Sequence, residues 1–128
     1  MTYLDSSVAL AYLFAENRRP PDDLWDEPLL SSRLLHYEVW TRVQSRQLAR
    51  AHGDQVRDLL GGVTIVELFP HVLARAIEPF PTPVRTLDAL HLATMDFLRG
   101  HGYPVELASY DARLLAAARA LGIALRAL

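Results

Sequence analysis

Short apolar segments alternate with longer segments of helical periodicity along the 128-residue chain. The short segments are typical of buried strands, and the longer ones place apolar residues on one face of a helix. Strands are predicted at 2–4, 29–32, 64–68, 105–109 and 123–128. Helices are predicted at 6–15, 33–51, 53–61, 70–78, 86–99 and 111–121. This alternation predicts an α/β fold in which a central parallel sheet carries helices on both faces, and the length fits one domain over residues 1–128.

The composition is that of an ordinary globular domain, with 51% hydrophobic and 22% charged residues. There is no cysteine, which excludes disulfides, thiolate zinc sites and a cysteine nucleophile and fits a reducing compartment. The first fourteen residues lack a basic segment, and Asp5 interrupts their apolar run. We therefore expect a cytoplasmic protein with neither a signal peptide nor a membrane span at this end.

All thirteen basic residues are arginine, and the chain has no lysine. A Walker-type phosphate loop, a Schiff-base mechanism and a lysine-dependent phosphoaspartate site each need an ammonium group, so these classes are excluded. The net charge is −2, which gives the domain no overall basic surface for nucleic acid. Any such binding has to come from a local arginine cluster.

Two aspartates follow predicted strands, where the ligands of open parallel sheets usually bind. Asp5 comes directly after the first strand and Asp111 shortly after the fourth. Each also opens the next predicted helix, and an N-cap aspartate typically contributes about 1 kcal/mol. A capping carboxylate can also bind a metal, so the sequence leaves both roles open.

Two further acids, Glu38 and Asp88, project from the apolar faces of predicted helices. An alternative role for Glu38 is an i,i+4 ion pair with Arg42, which would contribute about 0.2 to 0.5 kcal/mol to stability. An alternative role for Asp88 is that of a first-turn acid that complements the helix dipole, with Thr86 as the N-cap. An ionised carboxylate in an apolar setting nevertheless costs several kcal/mol unless something pairs with it.

If the four acids cluster, they repel one another unless a divalent cation neutralises them. Oxygen ligands without cysteine favour Mg²⁺ or Mn²⁺ over structural zinc. Such a site can activate water and stabilise an in-line displacement at phosphorus. The candidate chemistry is therefore phosphodiester hydrolysis.

Four segments, which follow one another in the family's order, resemble the motifs of PIN-domain ribonucleases, specifically the VapC toxins of bacterial toxin-antitoxin pairs. They are YLDSS at 3–7, YEV at 37–39, RTLDALHLA at 85–93 and SYDARL at 109–114. The resemblance covers essentially the whole chain. It implies a three-layer α/β/α domain, Mg²⁺- or Mn²⁺-dependent endoribonuclease activity, inhibition by a VapB-like antitoxin, and a homodimer.

The acidic residues of that family fall on the same four acids, two after predicted strands and two on apolar helix faces. The resemblance therefore implies that the catalytic and metal-binding residues are Asp5, Glu38, Asp88 and Asp111. The family's small hydroxyl residues fall on Ser6 and Ser109, where they would orient carboxylates or metal-bound water.

Arginines flank the candidate acids and are candidates for holding RNA phosphates, although a solvated helix face is an alternative. These arginines are Arg42, Arg46, Arg85 and Arg113. Contacts of this kind position RNA without reading its sequence. Trp25 and Trp40 are compatible either with a groove for an antitoxin helix or with the core.

Two histidines, His36 and His91, lie close in sequence to the candidate acids. Because a helix histidine is more often a packed or capping residue, we leave both out of the predicted catalytic set.

Two other functions remain open from the sequence. One is a DNA-directed or flap-type structure-specific nuclease that uses the same acids, although a short chain with no added arch or duplex-binding segment argues against it. The other is a non-catalytic interaction module whose acids only cap helices.

Overall fold

The computed structural model describes residues 1–128 and contains a five-stranded sheet in which every strand pair is parallel. The spatial order is β3-β2-β1-β4-β5. The predicted parallel sheet is confirmed, although the last three strands are shorter than predicted. The strands are β1 (Thr2–Leu4), β2 (Leu29–Ser32), β3 (Val63–Val66), β4 (Glu106–Ala108) and β5 (Ala124–Leu125).

Six α-helices and one 3₁₀ segment connect the strands. The helices are α1 (Ser6–Leu13), α2 (Leu34–Ser45), α3 (Ala49–Gly61), α4 (Pro70–Ala76), α5 (Thr86–Gly100) and α6 (Ala112–Ala120), and the 3₁₀ segment is Asp22–Asp26. No helix combines the length and the apolarity that crossing a bilayer requires.

The sheet separates two hydrophobic cores, because successive side chains of a strand point to opposite faces. Leu4 of β1 packs into a core built with α1, α2 and α3, whereas its neighbour Tyr3 packs into a second core built with α5 and α6. Helix α4 packs against α5. The three-layer α/β/α architecture is therefore confirmed.

The strand order places a topological switch beside β1. From β1 the chain proceeds to β2 and β3 on one side, and it then returns to add β4 and β5 on the other. Helices α1 and α6, which follow β1 and β4, pack into opposite cores. A crevice opens at such a point outside the carboxyl ends of the strands. Asp5 directly follows β1, and Asp111 lies three residues beyond β4.

The predicted boundary between the second and third helices is wrong. The prediction continued the second helix to residue 51 and began the next at residue 53, but the break spans residues 46–48. There Gln47 takes a left-handed conformation with φ of 55°, and the Leu48 N–H bonds the Val43 carbonyl at 3.0 Å. This turn is usually marked by glycine, which is absent from the segment. Gly53 instead lies inside α3.

Gln47→Gly should raise the free energy of unfolding by about 0.5 to 1 kcal/mol. A left-handed conformation costs a residue with a Cβ about 1 to 2 kcal/mol, and the greater freedom of glycine in the unfolded chain offsets part of that gain. Urea unfolding checks the value. Ala116→Gly, in the middle of α6, is the matched control and should lower stability by about 1 kcal/mol. An equal loss in both variants would contradict the role given to Gln47.

Candidate active site

The four predicted acids line one cleft at the carboxyl edge of the sheet. The cleft has a volume of about 690 Å³. Its acids come from four separate parts of the chain, because Asp5 follows β1, Glu38 lies in α2, Asp88 in the first turn of α5, and Asp111 just before α6. The fold thus brings together residues that are up to 106 positions apart in the sequence.

Asp5 is 4% exposed and caps the N-terminus of α1. Its Oδ2 accepts hydrogen bonds from Ser7 Oγ at 2.6 Å, Ser109 Oγ at 2.8 Å and the Ser7 N–H at 3.4 Å. All three bonds reach the same oxygen, so Oδ1 remains for another ligand. The capping role and a metal-binding role are therefore compatible.

Glu38 is held by residues other than the predicted alternative partner, Arg42. Its Oε1 lies 2.6 Å from His91 Nε2, and its Oε2 accepts a hydrogen bond from Ser6 Oγ at 3.3 Å. The Glu38 side chain is 21% exposed. It thus lies at the inner wall of the cleft, in contact with α1 and α5.

Asp88 is buried on α5, where its ionised form is electrostatically unfavourable. Burial raises the pKa of Asp88, and the charge of Asp111 raises it further, against lowering contributions from the Arg85 backbone and from His91 and Arg113. Asp88 and Asp111 are therefore close enough to repel each other. The predicted N-cap at Thr86 is wrong, because Thr86 is the first residue of α5 and Arg85 precedes it without a side-chain cap.

Asp111 is exposed and caps α6. Its Oδ1 accepts hydrogen bonds from the N–H groups of Arg113 at 2.9 Å and Leu114 at 3.2 Å. As at Asp5, the cap uses one carboxylate oxygen and leaves the other available at the cleft.

Three serines hold the carboxylates, of which the sequence predicted two. Ser6 contacts Glu38, and Ser109 contacts Asp5. Ser7 was not predicted, yet it bonds Asp5 through its hydroxyl and its backbone and accepts the Tyr110 N–H at 2.9 Å. The doubled serine in YLDSS was the available signal, because a residue two positions after an N-cap can bond the capping side chain.

His91 lies at the site, although the sequence argument placed it outside the catalytic set. It is 2% exposed and contacts Tyr3 as well as Glu38. Burial by itself lowers the pKa of His91, but the hydrogen bond and charge of Glu38 raise it, together with the charge of Asp5, and the net shift is upward.

His36, in contrast, is not among the residues that line the cleft. Its Nε2 is buried without a hydrogen-bond partner. Burial lowers the pKa of His36, and the charge of Arg33 lowers it further. Nothing in these contacts links His36 to the candidate acids.

Two of the four predicted arginines line the cleft, Arg42 and Arg46. Arg46 also lies 3.8 Å from Glu16 and packs over the Phe14 ring. Arg113 lies near enough to Asp88 to lower its pKa. Arg85 does not line the cleft; it borders a separate groove beside Phe80 and Leu90 on the α4–α5 side.

Arg18 lines the cleft and was not predicted. Its guanidinium donates a hydrogen bond to the Tyr110 carbonyl at 3.1 Å and lies 5.3 Å from the centroid of that residue's ring. Arg18 belongs to the segment between α1 and the 3₁₀ helix, where no sequence pattern indicates the direction of a side chain.

The donor set fits a divalent cation. Ligand atoms of Asp5, Glu38 and His91 all lie within 4.8 Å of one another, and Asp88 and Asp111 line the same cleft outside this compact group. A Mg²⁺ or Mn²⁺ ion would bind the carboxylate oxygens that Asp5 and Asp111 leave free of hydrogen bonds, and its charge would relieve the repulsion between Asp88 and Asp111.

Comparison with known proteins identifies the family and the fold of the chain. The PIN domain family profile matches residues 2–120. Among solved structures, Mycobacterium tuberculosis VapC20, described as a toxin that cleaves the sarcin-ricin loop, shares the fold with a TM-score of 0.66 and 20% identity, covering 91% of this chain and 95% of that chain. No curated protein sequence matches significantly. The predicted family resemblance is confirmed over nearly the whole length, and the chain belongs to the PIN-domain family.

Proposed function

We propose that the protein is a VapC-like toxin, an endoribonuclease that hydrolyses RNA phosphodiester bonds with Mg²⁺ or Mn²⁺. The observation that carries the proposal is the convergence of four carboxylates, from four separate segments, on one cleft. PIN-domain membership supports it, as does the fold shared with VapC20, which is described as a toxin that cleaves the sarcin-ricin loop.

The residues that would hold the cation are the four cleft acids, Asp5, Glu38, Asp88 and Asp111. When bound, such a cation supplies positive charge that neutralises the carboxylates and stabilises the negative charge of a phosphate undergoing displacement. The protein's part is to fix the donors beforehand. Ser7 and Ser109 fix Asp5, and the start of α6 fixes Asp111.

The arginines at the cleft are proposed to hold the RNA backbone. Arg18, Arg42 and Arg46 line the cleft together with the acids. Guanidinium groups bind phosphate oxygens and position a nucleic acid without identifying its bases. These three guanidinium groups therefore support RNA binding without defining a cleavage sequence.

The proposal includes a VapB-like antitoxin, a homodimer and a cytoplasmic location. A groove of about 640 Å³ between α1, the 3₁₀ helix and α3 is lined mainly by apolar residues, among them Tyr12, Trp25 and Leu59, and is the proposed site for an amphipathic antitoxin helix. Separately, Leu73 and Ile77 on and next to α4 are exposed apolar side chains that a second copy would cover.

Purified protein should cleave RNA with added Mg²⁺ or Mn²⁺ and lose that activity with EDTA, because the clustered carboxylates need a cation to act together. The substrates are a sarcin-ricin loop RNA, an unstructured RNA and a DNA of matching sequence. Excess Mn²⁺ should restore cleavage after chelation.

The controls separate the proposal from its alternatives. Cleavage of DNA alone would favour a DNA-directed nuclease, and the absence of both cleavage and metal binding would favour an interaction module. Undiminished RNA cleavage in EDTA would contradict the metal mechanism and direct attention to His91, the histidine that lines the cleft.

A further inference from the structure

A buried chain of hydrogen bonds runs from the sheet to the cleft through Tyr3, His91 and Glu38. The Tyr3 hydroxyl lies 2.7 Å from His91 Nδ1, and His91 Nε2 lies 2.6 Å from Glu38 Oε1. Tyr3 is 0% and His91 2% exposed, and their rings meet edge to face with centroids 5.7 Å apart. We call this the Tyr3–His91–Glu38 chain.

The chemistry of the partners fixes the direction of the His91–Glu38 bond and, when the ring is neutral, that of the Tyr3–His91 bond as well. An ionised Glu38 only accepts hydrogen bonds, so the short contact requires a proton on His91 Nε2. In a neutral ring Nδ1 then has no proton and accepts from the Tyr3 hydroxyl. Tyr3 thus selects the ring tautomer that donates to Glu38.

The geometry also makes His91 the principal support of this carboxylate. The other bond to Glu38, from Ser6, is 3.3 Å long and reaches the opposite oxygen. Glu38 belongs to α2 in one helical layer, whereas His91 belongs to α5 in the other. The chain therefore ties a flexible side chain at the cleft to two rigid elements, β1 and α5.

We propose that His91 is a positioning residue that orients the Glu38 carboxylate toward the cleft, with Tyr3 holding the imidazole. This inference rests on the proposed nuclease function, in which Glu38 is a metal ligand. Hydrogen-bond partners that hold ligands in this way typically change metal affinity or activity by about 10- to 100-fold when they are removed.

The test uses three variants of the chain and a matched control. His91→Phe keeps a planar ring but donates nothing, His91→Gln restores one donor and one acceptor, and Tyr3→Phe removes only the hydroxyl. The control is Thr94→Val, one turn further along α5, which removes a fully buried hydroxyl bonded to the Leu90 carbonyl. It should leave metal affinity and cleavage unchanged.

Mn²⁺ affinity by calorimetry, RNA cleavage constants and the ¹⁵N spectrum of the His91 ring are measured. His91→Phe should lower Mn²⁺ affinity and kcat by about 10- to 100-fold with little change in KM, and His91→Gln should recover most of the loss. The wild-type spectrum should show a proton on Nε2, with and without Mg²⁺. Tyr3→Phe should fall between wild type and His91→Phe.

The outcomes separate this inference from the function on which it rests. A wild-type protein that neither binds Mn²⁺ nor cleaves RNA overturns both. Wild-type activity with an equally active His91→Phe overturns the positioning role alone, whatever its melting temperature. Loss of the Nε2 proton when Mg²⁺ is added would make His91 a ligand and overturn it as well. If His91→Phe does not fold, Tyr3→Phe and the wild-type spectrum still decide, because wild-type Mn²⁺ affinity and cleavage in Tyr3→Phe would contradict the proposed chain.

Discussion

Asp88→Asn is expected to slow RNA cleavage by at least about 100-fold while leaving the fold as stable as the wild type or more stable. Asparagine keeps the shape of the side chain but removes the charge that a divalent cation needs. The pKa of Asp88 is raised by its burial and by the charge of Asp111. Its ionised form is therefore disfavoured in the folded protein, and removing the charge relieves that cost.

Because the pKa of Asp88 is raised in the folded protein, the stability gained in Asp88→Asn depends on pH. An unfolded aspartate ionises at about pH 3.9, and folded Asp88 ionises at a higher pH, so wild-type stability falls as pH rises through this interval and stays lower above it. The advantage of Asp88→Asn should therefore be present at pH 7 and disappear below the unfolded pKa. Melting temperatures in EDTA across this range, together with cleavage assays in Mg²⁺, provide the measurement.

Asp58→Asn, on the exposed side of α3, is the control and should leave cleavage unchanged. The alternative interpretation of Asp88, as an acid that only complements the dipole of α5, predicts the opposite pattern. It requires a loss of about 0.3 to 1 kcal/mol in stability and full cleavage. That result would remove Asp88 from the proposed site.

The fold could be predicted because its signals are local. Apolar strand segments and periodic helices gave the parallel sheet and both helical layers, and the costs of burying Glu38 and Asp88 drew attention to acids that the structure places in one cleft. The break at Gln47 escaped prediction because a residue with a Cβ occupies the left-handed position. Nothing in its composition distinguishes such a turn from a continuing helix.

The contacts around the acids could not be predicted, because they join distant parts of the chain. His91 is 88 residues from Tyr3 and 53 residues from Glu38, so its role depends on the packing of both layers against the sheet. The positions of the arginines relative to the acids could not be predicted for the same reason. Arg85 is three residues from Asp88 in sequence yet borders another groove, whereas Arg18, which is 13 or more residues from each of the four candidate acids, lines the cleft.

Asp5→Ala is expected to slow cleavage by at least about 100-fold and, unlike Asp88→Asn, to destabilise the protein. Asp5 is the acceptor for the hydroxyls of Ser7 and Ser109, both within hydrogen-bond distance of its Oδ2, and it caps α1. Alanine leaves those donors without this partner and removes the cap. The free energy of unfolding should fall by about 1 to 3 kcal/mol.

Asp5→Asn separates the two roles of this residue. Its side-chain oxygen can still accept from Ser7 and Ser109, so most of the stability should be retained, but the charge at the cleft is lost and cleavage should remain as slow as in Asp5→Ala. Urea unfolding followed by tryptophan fluorescence, with cleavage and Mn²⁺ titration beside it, measures both effects. Full cleavage by Asp5→Asn would show that Asp5 serves only as a cap, while wild-type stability in Asp5→Ala would show that the serines do not depend on it.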